Sequence, residues 1–246
     1  MWNKVLLYLT AILLLLLGWW ALALVLDSNA LPTPPTTFEA FWVAIGGPLK
    51  VHLAASLTRV VVSIILAVLL AVPTGLVLGR VKWLDWLAGP LIFLTYPVPK
   101  IVFLPVFMAI FGLGNLSKVL LVGLIVFYQM LVTTWDAARA ISPQLIYSVT
   151  SLGAREWDLY RHVLFPAVLP KIFTALRIGL GTAIAVLFIA ENYATNRGLG
   201  FYLLETWSRG AYDEMYAGII AMGLMGWGLY QVLGWLERKA CPWMAD

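Results

Sequence analysis

Apolar residues run almost unbroken through six stretches of the chain, at 5–26, 51–78, 88–111, 117–135, 172–191 and 214–236, and polar residues collect between them. A helix rises about 1.5 Å per residue, so about 20 residues cover a hydrocarbon core about 30 Å thick. Lipid offers no water to exposed backbone groups, so such runs must be helices. The pattern predicts an all-α integral membrane protein with about six transmembrane helices. After the first run come turn signals at Asp27-Ser28-Asn29, Pro32 and Pro34-Pro35. A short amphipathic helix is then predicted from Thr36, with Thr36 or Thr37 as N-cap, lying on the membrane surface.

Composition agrees. Of 246 residues, 62% are apolar and 11% charged, against roughly 45–50% and about 25% in soluble domains, which excludes a water-soluble globule. The net charge of +4 comes from scattered cations rather than a cluster interleaved with aromatics, so no nucleic acid is expected as a partner. Sorting the loop cations by side gives Lys4, Arg80, Lys82, Arg139, Arg155, Arg161, Lys171, Arg238 and Lys239 inside, against Lys50, Lys118, Arg197 and Arg209 outside. That bias predicts cytoplasmic N- and C-termini. Tryptophans at run ends, Trp19, Trp20, Trp83, Trp86, Trp135 and Trp235, suit the headgroup region. Lys4 and Ala21-Leu22-Ala23 give the first run some features of a signal peptide, but its length favours an uncleaved anchor. A single cysteine, Cys241, allows no disulfide framework, and His52 and His162 lack ligand companions, so no metal site is expected.

The stretch 136–171 is long for a connection and predicted cytoplasmic. Within it Leu152, Trp157, Leu159, Tyr160, Val163 and Leu164 fall at helical spacing among charges. They predict two short amphipathic helices bent at Gly153 and ended by Pro166. No Gly-Lys pair occurs in the chain, so it has no phosphate-binding loop of its own.

Gly153, nine residues, Val163, one residue and Phe165-Pro166 resemble part of the "EAA" loop of ATP-binding-cassette (ABC) importer permeases, with Tyr147-Ser148-Val149 where Glu-Ala-Ala would stand. Other segments are similar to the nitrate/sulfonate/taurine branch of that family: His52–Arg59, Tyr96–Pro105, Phe111–Lys118 and Asn196–Tyr202. The resemblance covers about 50–240 and implies a MetI-like five-helix core plus an N-terminal anchor. It also implies a homodimer around one pathway, two ABC ATPase subunits that carry ATP and Mg, and an extracytoplasmic solute-binding protein. By the same resemblance Ser151, Leu152, Gly153, Ala154, Arg155, Glu156, Trp157, Tyr160, Arg161 and Pro166 form the coupling helix that docks on the ATPase. The chain itself would bind no cofactor and catalyse nothing. The implied location is the bacterial inner membrane and the implied domains are 1–50 (anchor and outer segment), 51–240 (permease) and 241–246 (tail). The solute class it suggests is a small anion or zwitterion such as a sulfonate or nitrate.

Ionisable groups at membrane depth usually face a cavity or a partner. Lys100 follows Pro97 and Pro99, which interrupt the third run, and could draw an anion into the pathway; snorkelling is the other reading. Tyr96, Tyr128, Gln129 and Thr133 could line that path or bond across helices, and Arg59 and Glu191 could pair between helices or face an outer vestibule. Arg177 is expected to snorkel, and Gly75/Gly79, Gly179/Gly181 and Gly223/Gly226 to permit close helix packing. The rival functions are a self-sufficient secondary transporter or channel, which predicts embedded acids for ion coupling, and a membrane enzyme, which predicts a His/Asp/Glu cluster.

Overall fold

The computed structural model describes residues 2–193 and 195–244; Met1, Ala194, the last two residues of the tail and the side chains of 2–5, Lys4 among them, lie outside that description. All regular elements among the described residues are helical: α1 Trp2–Leu26, α2 Pro34–Gly46, α3 Leu49–Arg80, α4 Lys82–Thr95, a 3-10 turn Lys100–Phe103, α5 Leu104–Phe111, α6 Asn115–Arg139 and α7 Pro143–Ser151. They continue as α8 Glu156–Leu159, a π turn Tyr160–Leu164, α9 Phe165–Glu191, α10 Leu199–Ser208, α11 Tyr212–Ala240 and a 3-10 turn Pro242–Met244.

Five helical stretches among the described residues are long and apolar enough to cross a membrane: Leu6–Leu26, Leu49–Arg80, Asn115–Arg139, Glu156–Glu191 and Tyr212–Ala240. The third apolar run gives a sixth only as a broken pair, Lys82–Thr95 and Lys100–Phe111, bent by 84°. Pro97 and Pro99 explain the break, since each lacks the N–H that would carry the helical hydrogen bonding past Tyr96, which is still αR at φ −59°.

Two local predictions need correction. Pro166 does not end a helix: α8, the π turn and α9 run on as one helical stretch, Glu156–Glu191. The Phe165 N–H bonds back to the Tyr160 carbonyl, and this wider turn takes up the register change just where Pro166 removes a donor. The surface helix starts at Pro34 rather than Thr36. Prolines fit its first turn, where N–H groups have no intrahelical partner, and Thr33 is the N-cap without a side-chain cap bond.

The chain forms two compact units, Met1–Ser56 with Glu191–Met225, and Leu57–Ala190 with Gly226–Asp246. In the larger unit Val60, Ala71, Val126, Met130, Leu176 and Ala183 belong to one buried apolar cluster. There α3 and α6 touch closely, because a Cβ on Gly75 would lie 2.8 Å from Thr134 Cβ and one on Gly79 2.5 Å from Ala138 Cβ. The other glycine pairs pack on one member only, and Gly181 and Gly223 meet nothing within 4 Å. In the smaller unit the Trp19 indole donates to the Pro32 carbonyl at 3.0 Å and stacks on Tyr216 at 5.8 Å, which ties α1 to the outer segment and to α11.

Candidate functional site

Three arrangements carry polar or reactive chemistry. The first is the loop between α6 and α9. Ser142 Oγ caps α7 by accepting the Leu145 N–H at 3.3 Å. The helix closes on Gly153, whose φ of +87° is open to glycine without strain. Gly153 N–H bonds Thr150 O at 3.0 Å and Ala154 N–H bonds Val149 O at 3.4 Å, the paired bonds of a Schellman stop. Next, the Asp158 carboxylate accepts the Arg155 N–H at 3.1 Å and starts α8. Ile146, Leu159 and Leu164 anchor the loop in the apolar core. The other large side chains point away: Tyr147 is 70% exposed, Leu152 86% and Trp157 71%. The predicted amphipathic face is thus split, half holding the loop down and half on offer. Ser151, Arg155, Glu156 and Arg161 are exposed around it, while Ala154, Tyr160 and Pro166 are half-buried. Beside it an apolar groove of about 600 Å³ runs between Leu76 and Val77 of α3 and Trp157, Tyr160 and Phe165.

The second is the broken span. The Lys100 ammonium donates to the carbonyls of Thr95, Tyr96 and Val98 at 2.5, 3.0 and 2.8 Å, and lies 4.4 Å from the centre of the Tyr128 ring. It therefore gathers carbonyls at the end of α4 and just past it, where the prolines stop the helix. The Tyr128 hydroxyl donates to Thr95 Oγ1 at 3.1 Å. Tyr96, Pro97, Pro99, Lys100 and Tyr128 thus form one group. Gln129 instead bonds Thr182 at 3.3 Å and Thr133 its own helix at Gln129 O, 2.9 Å.

The third is a buried polar knot in the smaller unit. The Glu191 carboxyl, fully buried, accepts the Ser56 hydroxyl at 2.8 and 2.9 Å and the Gly200 N–H at 2.9 Å. Ser56 Oγ accepts the Leu199 N–H at 2.7 Å, and His52 Nδ1 lies 3.1 and 3.2 Å from the carbonyl and N–H of Gly198. These groups satisfy the first turn of α10, with a carboxyl group at its positive end. Gly198, at φ +131°, is held there; a Cβ would come within 2.5 Å of both Glu191 oxygens. Next to it Tyr202 is 2% exposed and its hydroxyl has no hydrogen-bond partner among the described residues; burial pushes the phenol up to about 12, so it stays neutral. In the larger unit Arg59, also buried, donates to Asn115 Oδ1 at 2.9 and 2.6 Å.

Residues 54–244 match the family of the binding-protein-dependent transport system inner membrane component. The chain belongs to this family. The permease is 33% identical over 253 residues to the taurine transport system permease protein TauC of Escherichia coli (strain K12), covering 99% of this chain and 92% of the relative. It is 32% identical to the riboflavin transport system permease protein RibX of Chloroflexus aurantiacus, over 95% and 89%. A chain of the inward-facing MetNI methionine ABC transporter superposes with a TM-score of 0.66 at 18% identity, covering 77% of the permease and 94% of that chain. That likeness speaks for the fold, which is MetI-like as the loop and span motifs imply. The permease is a multi-pass inner-membrane component, and these relatives are transport permeases rather than enzymes.

Sequence reasoning missed most of the knot and misplaced several charges. Lys118, counted as an outer-loop cation, is fully buried, with Nζ on Leu113 O at 2.9 Å and Gly114 O at 3.3 Å. Arg177 does not snorkel; it pairs with Glu237 and faces the Tyr230 ring at 5.9 Å. Trp135, at the end of its run, is buried and its indole donates to Asp85 at 2.9 Å. A usable signal did exist, because His52, Ser56, Arg59 and Ser63 follow one another at spacings of four, three and four, a polar stripe along one face of an otherwise apolar helix. All four are buried.

Proposed function

We propose that the permease is the membrane-spanning half of an ATP-driven importer for a small anionic or zwitterionic solute, working as a homodimer with two ATPase subunits and a soluble binding protein. The loop 143–164 carries this reading. A soluble or lipid-covered connector has no reason to hold Tyr147, Leu152 and Trp157 outward on a backbone pinned by Ile146, Leu159 and Leu164; an exposed apolar patch on a rigid base fits a docking partner. The ATPase subunit is that partner, and it supplies the ATP and Mg chemistry. Cation bias supports cytoplasmic termini and loop, with 1–50 as anchor and outer segment, 51–240 as permease and 241–246 as tail.

The pathway runs past the broken span. Tyr96, Pro97, Pro99, Lys100 and Tyr128 contribute to it, and Gln129 and Thr133 support α6 behind them. Arg59 and Glu191 serve the packing of the helices rather than the solute. Lys100 is half-buried and its three N–H donors are held by carbonyls, so it would act on a passing anion through its charge. Identity to TauC over nearly the whole chain supports a sulfonate-type solute.

Uptake by the assembled complex in proteoliposomes, with taurine, another sulfonate, nitrate and riboflavin as cargo for the cognate binding protein, tests the reading. ATP-dependent uptake of a sulfonate, weakened in Lys100→Gln per assembled complex, is expected. Uptake driven by an ion gradient without any ATPase would overturn the importer; uptake of riboflavin alone would overturn the solute class.

A further inference from the structure

We propose that a polar pocket walled by the ends of α3, α4, α6 and α7 binds the phosphate of an anionic phospholipid headgroup. The pocket holds about 640 Å³ and is lined by Arg80, Lys82 and Arg139, by the single acid Asp85, and by the aromatic rings of Trp86 and Tyr147. That volume lies within the range of small-ligand sites.

Asp85 offsets only one of the three cations. It accepts the Trp135 indole at 2.9 Å and pairs with Arg139 at 3.4 Å, so it fixes Arg139 at the rim. Neither Arg80 nor Lys82 has a carboxylate partner among the described residues. The pocket is left with an excess of positive charge from the Arg80 guanidinium and the Lys82 ammonium, with the paired Arg139 beside them, groups that suit phosphate oxygens.

Its surroundings select the source of the phosphate. Along α4 the residues Leu87, Leu91, Phe93 and Leu94 are 53–79% exposed, an apolar face suited to lipid tails. Trp83 and Trp86, 65% and 80% exposed, stand at the end of that face next to the cations. Apolar face, tryptophan belt and basic pocket in that order mark the height at which lipid phosphates lie. An ammonium at this height attracts an anionic lipid and leaves a zwitterionic one nearly unaffected.

Purified full-length permease in detergent, titrated with phosphatidylglycerol or phosphatidylcholine and read by thermal unfolding and native mass spectrometry, tests the site without reference to ATPase or solute. Wild type should retain phosphatidylglycerol in preference to phosphatidylcholine. Arg80→Gln/Lys82→Gln should weaken that preference about thirtyfold, roughly fivefold for each cation, and the exposed Lys82→Gln alone should weaken it about fivefold even if the double variant folds poorly. Arg238→Gln/Lys239→Gln removes the same charge elsewhere and should leave it unchanged. An unaltered preference in Lys82→Gln, or an equal loss in the Arg238/Lys239 variant, overturns the site. Stabilisation by inorganic phosphate as strong as by phosphatidylglycerol overturns the lipid as its source. Failed transport with intact lipid preference would count against the importer reading alone.

Discussion

Glu191 is fully buried and Trp157 is 71% exposed, each the reverse of what its side chain prefers. Around Glu191 the reversal is closed: Ser56 and the Gly200 N–H meet the carboxyl, and the same groups finish the first turn of α10. Around Trp157 it is open, because Leu152 and Tyr147 are exposed with it. A closed reversal is a device of the fold. An open one on a pinned backbone is a surface waiting for another molecule. The two regions should therefore respond oppositely to mutation, the knot through stability and the loop through function.

The largest effect belongs to Glu191. Glu191→Ala strands the Ser56 hydroxyl and the Gly200 N–H in a buried place, at about 1–3 kcal/mol for each unsatisfied group. Thermal unfolding in detergent should show a large drop, with Glu191→Gln recovering part of it because its amide oxygen still accepts; an unchanged midpoint would make the knot ornamental. Tyr202→Phe comes next and has the opposite sign. Its hydroxyl is buried without a partner among the described residues, so deletion removes a group whose desolvation costs about 1–3 kcal/mol, and the variant should be as stable as wild type or more so. A clear destabilisation would reveal a partner for that hydroxyl. Smallest in stability is Trp157→Ser, expected within about 0.5 kcal/mol of wild type as an exposed position. Its transport should nevertheless fail, and a variant that unfolds instead would erase the contrast between loop and knot.

How much of this was legible in the chain depends on the length scale of the signal. Spans were readable because lipid demands about 20 apolar residues in a row, and the break at Pro97 and Pro99 because proline acts on its own neighbours. Gly153 was readable for the same reason, being a local turn. The continuity of helix through Pro166 was not, since a π turn five residues long shifts the register without a sequence mark. The knot was not read either, because its partners stand up to 146 positions apart. The partners of Lys118 and Arg177 were not legible either, because each cation finds a carbonyl or carboxylate inside the protein.

The central claim, that the exposed face of the loop docks on an ATPase subunit, is tested most directly by a cysteine at Trp157 in a Cys241→Ser background, with the permease co-expressed with its ATPase and treated with a short bifunctional thiol reagent. The account predicts a crosslinked product of permease and ATPase whose yield changes when ATP is added. Labelling by lipid-soluble probes alone, with no such product, would contradict it.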